Sequence, residues 1–208
     1  MTALLGLSRA IDGLNERIGK VVAWAIVAAV IVSAVNAIIR KVFGTSSNAW
    51  LELQWYLFGA VFMLCAAWTL KANEHIRIDI LSNKLSKRGR DWVDVFGHVF
   101  FLLPFLVVMI WVTWPFFWRS YLSDEYSSNA GGLIIWPAKG MILVGFLLLF
   151  LQWASELIKR VAILRGELED TAGTGGHHAA AEAEAARLLA ELAEAEGRPP
   201  QSGVTKVQ

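Results

Sequence analysis

The stretch Trp50 to Ile80, WLELQWYLFGAVFMLCAAWTL followed by KANEHIRIDI, decides the fold. Between Trp50 and Leu70 the only charged side chain is Glu52. At ~1.5 Å rise per residue, a helix of that length crosses a hydrocarbon layer ~30 Å thick. The residues after it change abruptly to Lys71, Asn73, Glu74, His75, Arg77 and Asp79, interleaved with isoleucines, so a membrane span and its polar exit stand side by side.

Outward from that span the pattern repeats. Val21 to Ile39 is an uncharged run ended by Arg40 and Lys41. It exceeds the apolar region of a signal peptide, ~7 to 15 residues, and is expected to be a retained span with Asn36 contacting a neighbouring helix. Residues 92–118 make a third span, with Pro104 expected to kink it and Pro115 to loosen its far end. Residues 133–155 make the fourth, opened by Trp136 and Pro137. The expected architecture is an all-α integral membrane protein with four transmembrane helices at about 21–39, 50–70, 92–118 and 133–155, within a membrane domain of residues 21–158. Residues 1–20, with Leu4, Leu7, Ile11, Leu14 and Ile18 at helical spacing, predict an amphipathic interfacial helix. A second surface helix is expected after Asp79, through Ser86. Residues 159–208 read as a cytoplasmic tail rich in Ala and Glu, helical by composition but with a narrow apolar stripe, and mobile.

Composition supports this class. The chain of 208 residues is 56% hydrophobic and holds ten tryptophans, and its mean hydropathy is +0.49, which excludes an ordinary soluble domain. A net charge of +1 gives no field for nucleic acid. Sidedness comes from where the cations lie. Arg9, Arg17, Lys20, Lys71, Arg77, Lys84, Lys87, Arg88, Arg90, Lys159, Arg160 and Arg165 flank one side of the four spans, against Arg40, Lys41 and Arg119 on the other. That bias puts both termini in the cytoplasm.

The polar residues at the span edges are the candidates for function. Glu52 lies in a first helical turn near Gln54, where a carboxylate opposes the helix dipole. Asn73, His75, Arg77 and Asp79 read as local architecture at the exit of span two, with Asp79 capping the surface helix. Asp94 and His98 stand one turn apart, a spacing that suits either a proton relay or a packed contact. Lys139 is expected to snorkel to lipid phosphate or to meet an acid on a partner. The loop from Arg119 to Gly132, ending SSNAGG, reads as flexible and solvent-facing. The lone Cys65 excludes an intramolecular disulfide and a cysteine-based metal cluster. No nucleophile with a paired base, metal triad or phosphate loop can be assembled, so catalytic, substrate-binding and metal residues are expected to be absent. The chain is not expected to be an enzyme.

The order of short signatures resembles the small membrane subunit of tripartite ATP-independent periplasmic (TRAP) transporters. ELQWYLF with AAWTLKANEHIRIDIL carries the resemblance, as does SSNAGGLIIWPAKGMILVGFLLLFLQWASELIKR, over Val21 to about Gly166. The resemblance implies a multi-pass protein of the bacterial inner membrane that scaffolds a large TRAP membrane subunit. It also implies that a periplasmic substrate-binding protein delivers an organic acid, with uptake driven by a sodium gradient and no cofactor in this chain. The Glu52, Gln54, Asn73, His75, Arg77, Asp79, Asp94, His98 and Lys139 set would then serve partner contacts or architecture. The long tail departs from the family pattern. The alternative is a small membrane anchor of a respiratory complex, but a bis-histidine haem needs two facing intramembrane histidines and His98 alone lies within a span.

Overall fold

The computed structural model describes residues 2–45, 47–72 and 87–168. The chain divides into Met1–Glu169 and Asp170–Gln208. The second unit, with the Ala/Glu-rich tail, lies outside the described residues, as do Asn73, His75, Arg77, Asp79 and the surface helix expected after them.

The first unit is built of helices: α1 (Thr2–Phe43), α2 (Asn48–Ala72), α3 (Lys87–Gly97), a π-helical turn (His98–Leu102), α4 (Leu103–Leu122) and α5 (Trp136–Leu164). Four of its helical stretches are long and apolar enough to cross a membrane: Thr2–Phe43, Asn48–Ala72, Trp92–Leu122 and Trp136–Leu164. They alternate in direction. The N-terminal half of α1, the end of α2, α3 and the last turns of α5 gather at one end, called here the N-terminal end. The α4–α5 loop and the start of α2 gather at the other, called here the hairpin end.

Residues 2–20 are not a separate helix. They continue into the first span without a break, so α1 extends ~63 Å, about twice the hydrocarbon thickness. The face that packs inward is also not the apolar one. Leu4, Leu7 and Leu14 are exposed, whereas Ser8, Ile11, Asn15 and Gly19 are buried. Small and polar side chains at helical spacing let two backbones approach and hydrogen-bond, which apolar bulk does not, and lipid gives little hydrophobic reward for hiding leucine.

Helix α5 is the hub. It packs against α1, α2, α4 and α3, and 33% of its most apolar window is buried, against 11% in α1 and α2 and 6% in the third span. Close approach is set by glycine. A Cβ on Gly145 would lie 2.8 Å from the backbone oxygen of Met63, and one on Gly19 would lie 2.6 Å from the Trp68 ring. Cys65 sits at the same crossing, its thiol donating to the Gly19 carbonyl at 3.7 Å, in keeping with a small packed side chain.

The third span meets α5 through Leu106, fully buried, and an edge-on pair of Phe105 and Phe146 with centroids 6.0 Å apart. Pro104 does more than bend it. A proline has no N–H for the carbonyl four residues back, and its ring crowds that carbonyl; the five residues before Leu103 widen into a π turn that relieves both problems. The His98 carbonyl accepts from the Leu103 amide and, at 2.8 Å, from the Trp153 indole, so the irregular turn is fastened to α5. Pro115, in contrast, stays inside α4, which continues to Leu122.

These crossings make a direct prediction. Gly145→Ala pushes a methyl group into α2 backbone and should cost about 1 to 3 kcal/mol, as overpacking does. Gly59→Ala, at an α2 position with open space around it, should be neutral or slightly stabilising. Thermal unfolding of the two variants in the same detergent distinguishes them.

Candidate functional site

The functional side chains fall into two polar assemblies, one at each end of the bundle. At the hairpin end the organiser is Glu52, one turn into α2 and only 4% exposed. Its carboxylate accepts from the Ser127 hydroxyl, from the Asn129 side-chain amide at 2.9 Å and from the Leu133 backbone amide at 2.6 Å. Asn48 donates to the Ala130 carbonyl at 2.9 Å, and the Tyr56 hydroxyl donates to the Ile134 carbonyl at 3.1 Å. The start of α2 thus holds the α4–α5 loop with side chains spaced one turn apart.

The loop is correspondingly ordered, and the expectation of a flexible run is corrected. Tyr126 and Ile134 form an antiparallel bridge, with Ser127 N–H donating to Leu133 O at 2.9 Å and Ile135 N–H to Glu125 O at 2.8 Å. The glycines are geometric. Gly131 turns through φ +68°, and a Cβ on Gly132 would collide with Ser127 and lie 2.8 Å from the Glu52 carboxylate. The polar Gly-rich composition that marks a loose linker also marks a tight hairpin; the lone acid opposite, in need of donors, was the signal separating them.

Lys139 has its acid within the chain. It pairs with Glu125 of the hairpin, and its ammonium stands 4.2 Å from the Phe116 ring centroid. The Lys139 hydrogen bond holds the Glu125 carboxyl below its ordinary range. Aromatic rings brace the same corner: Trp118 stacks on Tyr121 at 5.8 Å, and Tyr121 meets Trp136 edge-on at 5.4 Å.

The N-terminal end is a clamp between α1 and α5. Asn15 donates to Gln152 at 2.8 Å, and Gln152 donates to Asp12 at 2.8 Å and to Glu156 at 2.9 Å. Ser155 donates to Asp12 at 2.7 Å, which leaves Ser8 to donate to Ser155, also at 2.7 Å. Lys159 bridges Asp12 and Glu156. Beside this clamp, Glu16 takes both Lys20 and Lys71 at 2.6 Å, which ties α2 to α1. Asp94 pairs with Arg160 at 3.1 Å, which ties α3 to α5.

Asp94 and His98 do not form a relay along their shared face. The Asp94 carboxylate faces Arg160, and His98 Nδ1 contacts the Asp94 backbone carbonyl at 2.8 Å. Gln54 is half-buried and makes no side-chain hydrogen bond among the described residues. Asn36 is buried without one. No three His, Cys, Asp or Glu side chains among the described residues converge as metal ligands would.

Sequence reading found Glu52, Lys139, Asp94 and His98 but missed most of their partners. The clamp was visible as two stripes, Ser8, Asp12, Asn15, Gly19 on α1 and Gln152, Ser155, Glu156, Lys159 on α5, each at helical spacing.

Two outcomes check these assemblies. Glu52→Ala should leave the Ser127, Asn129 and Leu133 donors without an acceptor, and amide exchange at Leu133 should quicken by about tenfold while the N-terminal end is unaffected. A depressed carboxyl pKa contributes stability above the ordinary glutamate value of ~4.3, and that stability is lost as pH falls through the folded value. The Glu125 carboxyl carbon, followed by NMR, should therefore titrate below ~4.3, and Lys139→Met should return it toward the ordinary range.

No curated protein and no solved structure is a significant match to this chain. A family model does match, over residues 16–162, from the Glu16 ion pairs of α1 to the last turns of α5, and so includes the hairpin and the α5 side of the clamp. The chain belongs to the DctQ component family of tripartite ATP-independent periplasmic transporters.

Proposed function

We propose that this subunit is the scaffold of its transporter, steadying a large membrane subunit that carries out sodium-driven uptake of an organic acid delivered by a periplasmic binding protein. The observation that carries this reading is where its polar side chains go. The acidic residues of the described spans lie at the two ends and are engaged within the chain: Glu52 with the hairpin, and Asp12, Glu16, Asp94 and Glu156 with the lysines and arginine around them, while Lys139 pairs with Glu125 of the hairpin. A solute pathway needs polar groups at mid-membrane depth on broken helices, and the one irregular turn among the described spans is fastened by Trp153.

The partner-facing surface is apolar. Phe100, Phe101, Val108, Trp111 and Val112 of the third span are all more than half exposed, and this span has its main packing on α5 alone. Lipid and the large subunit share that surface. The respiratory-anchor alternative has less support, since family membership is with a transporter component. Sodium and substrate are assigned to the large subunit, and this chain carries no cofactor.

The cation bias of the sequence supports a bacterial inner-membrane protein with both termini in the cytoplasm. Four of the cations behind that bias, Lys20, Lys71, Lys159 and Arg160, are paired with carboxylates, but acids weigh little in the positive-inside rule.

Reconstitution tests the proposal. Vesicles holding this chain with the large subunit and the binding protein should accumulate substrate when a sodium gradient is imposed, and vesicles holding this chain alone should not. Uptake by this chain alone would refute the scaffold. In intact cells a cysteine at exposed Ser128 of the hairpin should react with an impermeant thiol reagent, and one at Thr174 should not.

A further inference from the structure

At the hairpin end, between the last turns of α4 and the start of α5, lies a cavity of about 470 Å³ that neither the hairpin nor the clamp explains. Its polar wall holds Arg119, Lys139, Glu125 and Ser120. Arg119 is exposed, and its guanidinium has no hydrogen bond or ion pair among the described residues. Ser120 is 1% exposed, and its hydroxyl is buried without a hydrogen-bond partner. Lys139 and Glu125 offset each other, so the wall carries one uncompensated positive charge. Its apolar wall is Phe116 and Val112, respectively one and two turns back along the same face of α4 toward the middle of the span, and both are substantially exposed.

From these features we infer that the cavity binds the phosphodiester headgroup of a membrane phospholipid, with Arg119 and the Ser120 hydroxyl on the phosphate oxygens and an acyl chain along Val112 and Phe116. A phosphodiester carries one negative charge, which matches the uncompensated cation. Guanidinium forks suit phosphate oxygens, and the buried hydroxyl gains the partner it lacks. The depth is right as well. Trp114, Trp118 and Trp136 are neighbours of the site in sequence, and such rings gather at the level of the headgroups. An acidic side chain of a partner protein would satisfy Arg119 but has no use for an apolar wall running down the span.

The test titrates the full-length chain in detergent with dioctanoyl-phosphatidylglycerol, with dioctanoylglycerol, which lacks the phosphate, and with inorganic phosphate, following bound species by native mass spectrometry. Phosphatidylglycerol should saturate at about one molecule per chain, with dioctanoylglycerol and inorganic phosphate each weaker by about tenfold or more, because each lacks one half of the interaction. Arg119→Gln should weaken phosphatidylglycerol binding about tenfold and Arg119→Lys much less, with Ser120→Ala in between. Lys41→Gln, which removes an exposed cation from the end of α1, should change nothing. Equal binding of dioctanoylglycerol would overturn the headgroup site, and equal binding of inorganic phosphate would overturn the lipid as its source. Equal losses from Arg119→Gln and Lys41→Gln would reduce it to general surface charge. If Arg119→Gln leaves phosphatidylglycerol binding intact, the inference is wrong.

Discussion

Apolar helices in lipid gain little by hiding apolar side chains from one another, because the surrounding acyl chains are as greasy as leucine. Close backbone approach and polar contact must therefore hold the bundle, and the structure puts each where it works. Backbones meet at Gly19 and Gly145, where no side chain intervenes. Hydrogen bonds and ion pairs gather at the two ends, near enough to water for the charges to remain ionised. The inverted face of α1, with leucines outward and Ser8, Asn15 and Gly19 inward, follows from the same constraint.

The two ends differ in construction. At the N-terminal end helices clasp helices: α1, α2, α3 and α5 are joined by ion pairs and amide hydrogen bonds, with α1 extending well beyond the length a bilayer needs. At the hairpin end a single carboxylate gathers donors from a loop, and the loop then fixes where α5 begins. Charge-assisted hydrogen bonds are stronger than neutral ones, so Glu52 can order a segment that composition alone would leave loose. Lys139 completes the arrangement by pinning the hairpin's other edge to α5.

The spans were legible because hydropathy over a membrane-crossing length has few competing explanations. Helix boundaries were less so. The junction at Lys20 and Val21 looks like a change of element in composition, yet a helix does not end where hydrophobicity rises, and Gly19 there serves the close crossing with Trp68 and not a helix stop. The loop was misread because Ser, Asn and Gly serve mobile linkers and tight turns alike, and the choice rests on a contact 75 to 81 residues away in sequence. Lys139 was correctly singled out as anomalous, but its partner Glu125 is only fourteen residues upstream, on a segment taken to be loose. Asp94 and His98 show the converse limit, since helical spacing put them on one face but could not say that Arg160 would claim the acid.

An irregular turn within a span often marks a moving part, and the π turn at His98–Leu102 has to be weighed on that ground. Pro104 accounts for its origin without any motion. The His98 carbonyl, which already accepts from the Leu103 amide within the turn, accepts from the Trp153 indole of the hub helix as well. Releasing the turn would strand that indole N–H inside the bundle, and the neighbouring Asp94–Arg160 pair holds α3 to α5 at the same level. The π turn is thus fastened to the hub helix by the Trp153 hydrogen bond and, at the same level, by the Asp94–Arg160 pair.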